Sequence, residues 1–252
     1  MTPSTTFAIV GALALGGASS SSRASTASPV LLIDSQSEWR DARAELVALR
    51  RQVPTTPRVE LVRISVRGQG GVRFDGRGAV AIKPHHALRM VLLGPAGRTA
   101  LDVWATPERY RLAVPDLDIV EQGGTSAPTH LPIELFREWF MTPLGGRLLA
   151  AGTTRSGDRI FILKANARSL ELRIGAVDVA GRRRYSIRKH DATGGESAEW
   201  EARTLWPGVG DVVRFRRPSM GLELAVEIEG LSSDPPEDAA FDPPTASIEG
   251  AP

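Results

Sequence analysis

The sequence predicts a mainly β protein, a curled antiparallel sheet that forms an incomplete, half-open barrel covered by two or more helices. Three features predict it. From residue 58 onward apolar and polar residues alternate with period two, with turn residues recurring about every ten positions. One stretch before that alternation and one within it carry apolar residues at helical spacing. The alternating segments amount to roughly ten to twelve strands joined by sequential hairpins, and a sheet of that size curls or closes instead of staying flat. Its concave side must then be filled by side chains, by helices or by a ligand. With 252 residues, 42% of them apolar, the chain can build one sizeable core.

Residues 1–28 read as an export signal and flexible spacer. Phe7 to Ala18 form an apolar run with the length of a signal core, too short to span a bilayer, and small residues follow it. No Lys or Arg precedes the run. "LALGGASS" has the features of a lipoprotein processing site except the Cys that would carry the lipid. Cysteine is absent from the whole chain, which excludes disulfides, thiolate metal sites and a catalytic thiol.

The domain proper is expected over 29–231. Ser35 and Glu38 form a capping box, and Trp39, Ala42, Leu46 and Leu49 follow at helical spacing. Arg50 and Arg51 suit the C-terminal end of that helix, and Pro54 and Pro57 close it. "RVELVRISVRG" is the first strand, with an apolar phase that slips between Leu61 and Val62 and so predicts a bulge. "GVRFDGRGAVAIKP" reads as a hairpin around Asp75-Gly76. "ALRMVLLG", "RTALDVWA" and "RYRLAVP" are the next strands. "LPIELFREWFMTPLGG" interrupts them with a helix: Pro132 fits its first position, and Leu135, Phe136, Trp139 and Phe140 give an apolar stripe. Gly145 and Gly146 after it could serve as a hinge. Strands resume at 159–164, 169–175, 183–190, 197–204, 211–217 and 221–229. Residues 232–252 are a Pro-rich, partly disordered tail with a short docking segment at Phe241.

The sequence offers no catalytic constellation. His85-His86 would point to opposite faces of a strand, whereas a metal site on a strand needs ligands at i and i+2. Pro84 before the pair marks a turn, and the other two histidines, His130 and His190, stand apart. No phosphate-binding loop, dinucleotide fingerprint, zinc-protease motif or nucleophile elbow occurs. Asp116 and Asp118 read as a polar strand edge after Pro115, and Glu223, Glu227 and Glu229 as a solvated strand face. The 28 Arg and 3 Lys are spread along strands, which points to solvated faces and away from nucleic acid. Neither an enzyme nor a cofactor is expected. What remains is apolar. Phe74, Val80, Ile82, Leu88, Met90 and Leu92 keep one phase through consecutive strands, and Leu101, Val103, Tyr110 and Leu112 continue it.

The order "GRGAVAIKPHHALRMVLLGPAGRTALDVWATPERYRLAVPD" followed by "LPIELFREWFMTPLGG" resembles the LolA/LolB-type periplasmic lipoprotein carriers and acceptors, the LolB-like branch in particular. The likeness covers about residues 35–230 and rests on short features. These are the strand through Leu88-Arg89-Met90, the Gly94-Pro95-x-Gly97 turn, Leu101 in the next strand, the Leu131-Pro132 helix start and the Leu144-Gly145-Gly146 exit. The resemblance implies a half-barrel whose apolar cavity takes acyl chains of a lipoprotein or lipid. It also implies a place in the periplasm or on the periplasmic face of the outer membrane of a Gram-negative bacterium, and a LolA-like delivery protein as partner. The lipid-binding candidates are then the ten strand residues above with Leu135, Phe136 and Trp139. The acylated Cys of the LolB branch has no counterpart here.

Overall fold

The computed structural model describes residues 30–32, 35–68, 73–94, 97–124, 133–165, 168–190 and 195–244; the expected export signal, His130 and the end of the tail lie outside them. The strands are β1 (Val30–Leu32), β2 (Arg58–Arg67), β3 (Arg73–Lys83), β4 (Ala87–Leu93), β5 (Thr99–Ala105), β6 (Arg109–Val114) and β7 (Ile119–Gly124). They continue with β8 (Arg147–Thr154), β9 (Arg159–Ala165), β10 (Arg168–Val177), β11 (Arg183–His190), β12 (Glu196–Ala202), β13 (Val212–Arg217) and β14 (Leu222–Leu231). Helix α1 (Gln36–Arg50) precedes β2, and a short α2 (Ile133–Phe136) lies between β7 and β8.

All fourteen strands form one antiparallel sheet in the order β1-β8-β9-β10-β11-β12-β13-β14-β2-β3-β4-β5-β6-β7. Neighbours in sequence pair, except where β14 returns onto β2 and β1 lies on β8. The sheet has two edges and does not close, the half-open barrel expected from the alternation. Buried apolar side chains of every strand from β2 to β6 and from β8 to β14 make one core with Ala42, Leu46 and Leu49 of α1. At the start of α1, Ser35 Oγ accepts from the Glu38 backbone N–H at 3.2 Å, the first half of the capping box, and the Glu38 carboxylate returns to the Ser35 hydroxyl instead of its backbone N–H.

The opposite face explains the arginines. Arg184 on β11 pairs with Glu201 on β12, Arg216 on β13 lies between Glu199 on β12 and Glu223 on β14, and Glu229 on β14 accepts from Arg63 on β2 and Arg77 on β3. Basic and acidic strands alternate from β11 to β2. Each exposed pair is worth well under about 1 kcal/mol, so the ladder fixes strand order and solubility more than stability. The tail docks on this face too. Phe241 is buried, its carbonyl accepts from Trp104 Nε1 at 2.8 Å, and Asp238 pairs with Lys83.

Four expectations are corrected. Asp75-Gly76 is no turn, because β3 runs unbroken through it. Its glycines answer to curvature. Gly76 and Gly78 fall in the concave phase, where a Cβ on Gly78 would meet the Val91 carbonyl oxygen at 1.9 Å and one on Gly76 would meet the Phe74 ring at 2.7 Å. The phase of β2 does not slip: Glu60, Val62 and Ile64 all point inward and Leu61 outward. A buried carboxylate mimicked the slip, and the irregularity lies in the partner strand at Glu229, between Ile228 and Gly230. Asp116 and Asp118 sit in and beside a 3-10 turn, Pro115–Leu117, with Asp118 in the left-handed region at φ 52°, so they share no strand face. Finally β1, β7 and β8 exceed the ten to twelve strands expected. β8 is rich in Ala, Gly and Thr, and β7 ends in two glycines, so neither carries strong alternation.

Candidate functional site: the concave face and its plug

The sheet brings the predicted strand residues together. Val80, Ile82, Leu88, Met90, Leu92, Val103, Tyr110 and Leu112 are buried side by side on the concave face, with Phe74 and Leu101 half-buried against them. Register explains it: Val80 faces Met90 and Ile82 faces Leu88 across β3 and β4, and Met90 faces Val103 and Leu92 faces Leu101 across β4 and β5. Arg89, one residue out of phase, lies on the convex side with its guanidinium 3.0 Å from Asp102.

The concavity is filled by the protein's own side chains. After one turn of α2 the backbone widens into a π-helical turn, Arg137–Met141. A π turn carries more residues per revolution than an α turn, so the inward stripe broadens beyond the one expected. Phe136, Trp139, Phe140 and Met141 are all buried. Leu135 lies in α2, and its side chain is outside those described. Trp139 stacks on Trp206 with ring centroids 5.1 Å apart and meets Trp200 and Phe215 edge-on at 4.4 and 5.8 Å. Phe136 meets Phe215 edge-on at 5.4 Å. We call residues 133–144 the plug.

Polar groups hold the plug down. Arg137 is buried with its guanidinium 5.8 Å from the Tyr110 ring. Lys189 on β11, only 2% exposed, lies 3.6 Å from both Glu138 on the plug and Glu196 on β12. Arg217 approaches the same Glu196 at 3.4 Å. The His85-His86 turn contributes as well. His85 takes a left-handed backbone at φ 66°, and its N–H donates to the Met141 carbonyl at 2.9 Å, while both imidazoles are exposed. The pair is a corner that caps the plug. Among the described residues no three His, Asp or Glu side chains are grouped to hold a metal ion.

The exit of the plug is tied to α1. Arg50 Nε and Nη2 donate to the Leu144 carbonyl at 3.0 and 2.8 Å, and Nη2 also reaches the Gly146 carbonyl. Leu144 and Gly146 both have positive φ, which turns these carbonyls toward the guanidinium. Partial burial lowers the Arg50 pKa from its ordinary value. Arg50→Ala is expected to cost about 2 kcal/mol in denaturant unfolding, since charged hydrogen bonds are lost. Hydrogen exchange should rise selectively at residues 137–146. Unchanged exchange there would mean that the plug is held without Arg50.

Glu60 is a further residue that alternation did not predict. It is 1% exposed, 2.8 Å from Arg58 and within hydrogen-bond reach of Trp206 Nε1. Burial raises its pKa against the opposing pull of Arg58 and of that hydrogen bond. Nor did alternation predict the cleft of about 490 Å³ between α1 and β8, lined by Trp39, Arg43, Val47, Arg147 and Leu149 among others. The signal was present in α1, whose Val47 widens the apolar stripe past the face that the core needs.

No known family model and no curated protein sequence matches this chain. Solved structures do. The chain is similar in fold to a LolA superfamily protein from Nitrosomonas europaea, with a TM-score of 0.54 and 12% identity, covering 79% of this chain and 96% of the other. A DUF1329 family protein from Desulfovibrio piger aligns with a TM-score of 0.42 and 10% identity over 81% of this chain and 96% of its own. At 12% identity the likeness to the first of these is one of fold, the open, curled sheet.

Proposed function

We propose that the protein binds acyl chains of lipoproteins or lipids in the half-barrel, for transfer to or placement at the bacterial outer membrane. The observation that carries this reading is the concave face itself: a continuous apolar surface on an unclosed sheet, covered by a short segment with π geometry and a glycine-containing exit. The LolA superfamily fold supports it. Binding requires the plug to move aside, and each methylene buried in its place contributes about 0.8 kcal/mol. The candidate lining is the set Phe74, Val80, Ile82, Leu88, Met90, Leu92, Leu101, Val103, Tyr110, Leu112, Leu135, Phe136 and Trp139. In the LolB-like version of this role, the protein receives its cargo from a LolA-like carrier on the periplasmic side of the outer membrane. No helix among the described residues is long and apolar enough to cross a membrane.

A second reading is favoured by the filled concavity and by Lys189 between Glu138 and Glu196. It makes the protein a non-catalytic envelope scaffold or stress sensor whose plug never leaves. Native mass spectrometry after incubation with lipid vesicles separates the two. The carrier reading expects a bound lipid and a change in tryptophan fluorescence that Trp139→Phe abolishes, because Trp139 lies within the cluster that the plug buries. A chain that stays lipid-free, with unchanged fluorescence, would leave the scaffold.

A further inference from the structure

The cleft between α1 and β8 is built differently from the rest of the rim. At 100° per residue, Trp39, Arg43, Leu46, Val47 and Arg50 fall within one third of the α1 circumference. Ala42 and Leu49, which enter the core, lie to one side of that arc, and the helix acids Asp41 and Glu45 lie away from it; Glu45 is engaged by Arg159 at 2.8 Å. Opposite, β8 carries a bulge: Leu148 faces Leu163 and Ala150 faces Ile162, leaving Leu149 as the extra residue. Bulges re-aim side chains, and this one holds Leu149 outward, 44% exposed, toward Val47, which is 45% exposed. The floor is formed by Leu46 and Leu148, both members of the core, so these two side chains are what separates the cleft from the concave interior.

Charge is distributed in the cleft with one sign. Three guanidiniums line it and, among the described residues, no carboxylate does. Arg50 is committed to the carbonyls of the plug exit. Arg43 and Arg147 are exposed and have no ion-pair or hydrogen-bond partner among the described residues, unlike the paired arginines of the convex ladder. An apolar wall beside two unpaired guanidiniums complements one kind of molecule, an amphiphile with an anionic head. The volume is within the range of small-ligand sites.

We propose that this cleft receives a phospholipid with a net negative headgroup. Arg43 and Arg147 donate to its phosphate, and the first part of an acyl chain lies against Trp39, Val47 and Leu149. The inference rests on the acyl-binding reading for the onward path of the chain past Leu46 and Leu148, and adds to it a headgroup class and a mouth.

The test uses the full chain and two soluble short-chain lipids, dihexanoyl phosphatidylglycerol and dihexanoyl phosphatidylcholine, below their micelle concentrations, with glycerol 3-phosphate as the headgroup alone. Calorimetry should give phosphatidylglycerol an advantage of about tenfold or more over phosphatidylcholine, because both phosphates accept charge-assisted hydrogen bonds but the choline cation repels the two guanidiniums and offsets the phosphate charge they meet. Arg43→Gln with Arg147→Gln should erase that advantage by weakening phosphatidylglycerol much more than phosphatidylcholine. Val47→Asp should weaken both lipids, and glycerol 3-phosphate alone should bind far more weakly than either. Equal binding of the two lipids would overturn the headgroup assignment and leave the acyl reading standing. A preference that survives the double variant would place the site elsewhere. Glycerol 3-phosphate binding as well as the lipid would make this an anion site without an acyl component. No binding of either lipid would overturn both readings. A concentration-dependent dimer broken by Leu149→Glu, with no lipid preference, would assign the cleft to a second copy of the chain.

Discussion

Leu92→Asp is expected to lower the unfolding free energy by about 4 kcal/mol or more, enough to leave much of the protein unfolded at ambient temperature. Leu92 has no solvent exposure and sits on the concave face between Gly78 of β3 and Leu101 of β5. A carboxylate there would be flanked by Gly78 and Leu101 and would lose its hydration. The neighbouring residue is the control. Leu93 is 44% exposed at the end of the same strand, and Leu93→Asp should stay within about 0.5 kcal/mol of the parent. Leu92→Met, which conserves volume, should cost less than about 1.5 kcal/mol. Urea unfolding of the three variants decides the matter. A Leu92→Asp protein as stable as Leu93→Asp would mean that the concavity is wet.

Gly78→Val should cost about 3 kcal/mol or prevent folding. The reason differs from that for Leu92, because the clash is with backbone. A Cβ on Gly78 lies 1.9 Å from the Val91 oxygen and 2.9 Å from the Leu92 Cα, so β3 and β4 would have to separate where the sheet curls. Gly76 provides the comparison. There the obstruction is the Phe74 ring, a half-buried side chain that can swing away, so Gly76→Ala should cost only about 1 kcal/mol. Thermal unfolding of both variants would reject this account of the curvature if Gly76→Ala proved the more damaging.

Much of the architecture is legible in the sequence because it depends on local periodicity. Alternation places Val80, Ile82, Leu88, Met90 and Leu92 on one face whatever they meet, and Ser35 with Glu38 starts α1 with groups three residues apart. The His85-His86 corner, the solvated glutamates of β14 and the dispersed arginines follow from the same two-residue period. Tertiary structure decided the rest, since the partners lie far along the chain. Asp75-Gly76 reads as a turn until β3 is seen to pair with β4 as one strand, and the burial of Glu60 depends on Arg58 and on the distant Trp206. The strand character of β8 comes from pairing with β9 more than from its own small residues. Whether the concave side holds solvent, a ligand or the protein's own plug is set by contacts such as Trp139 with Trp200 and Trp206, and Lys189 with Glu138. The two-residue period assigns a face to each side chain; what covers that face depends on packing between segments that the period does not relate.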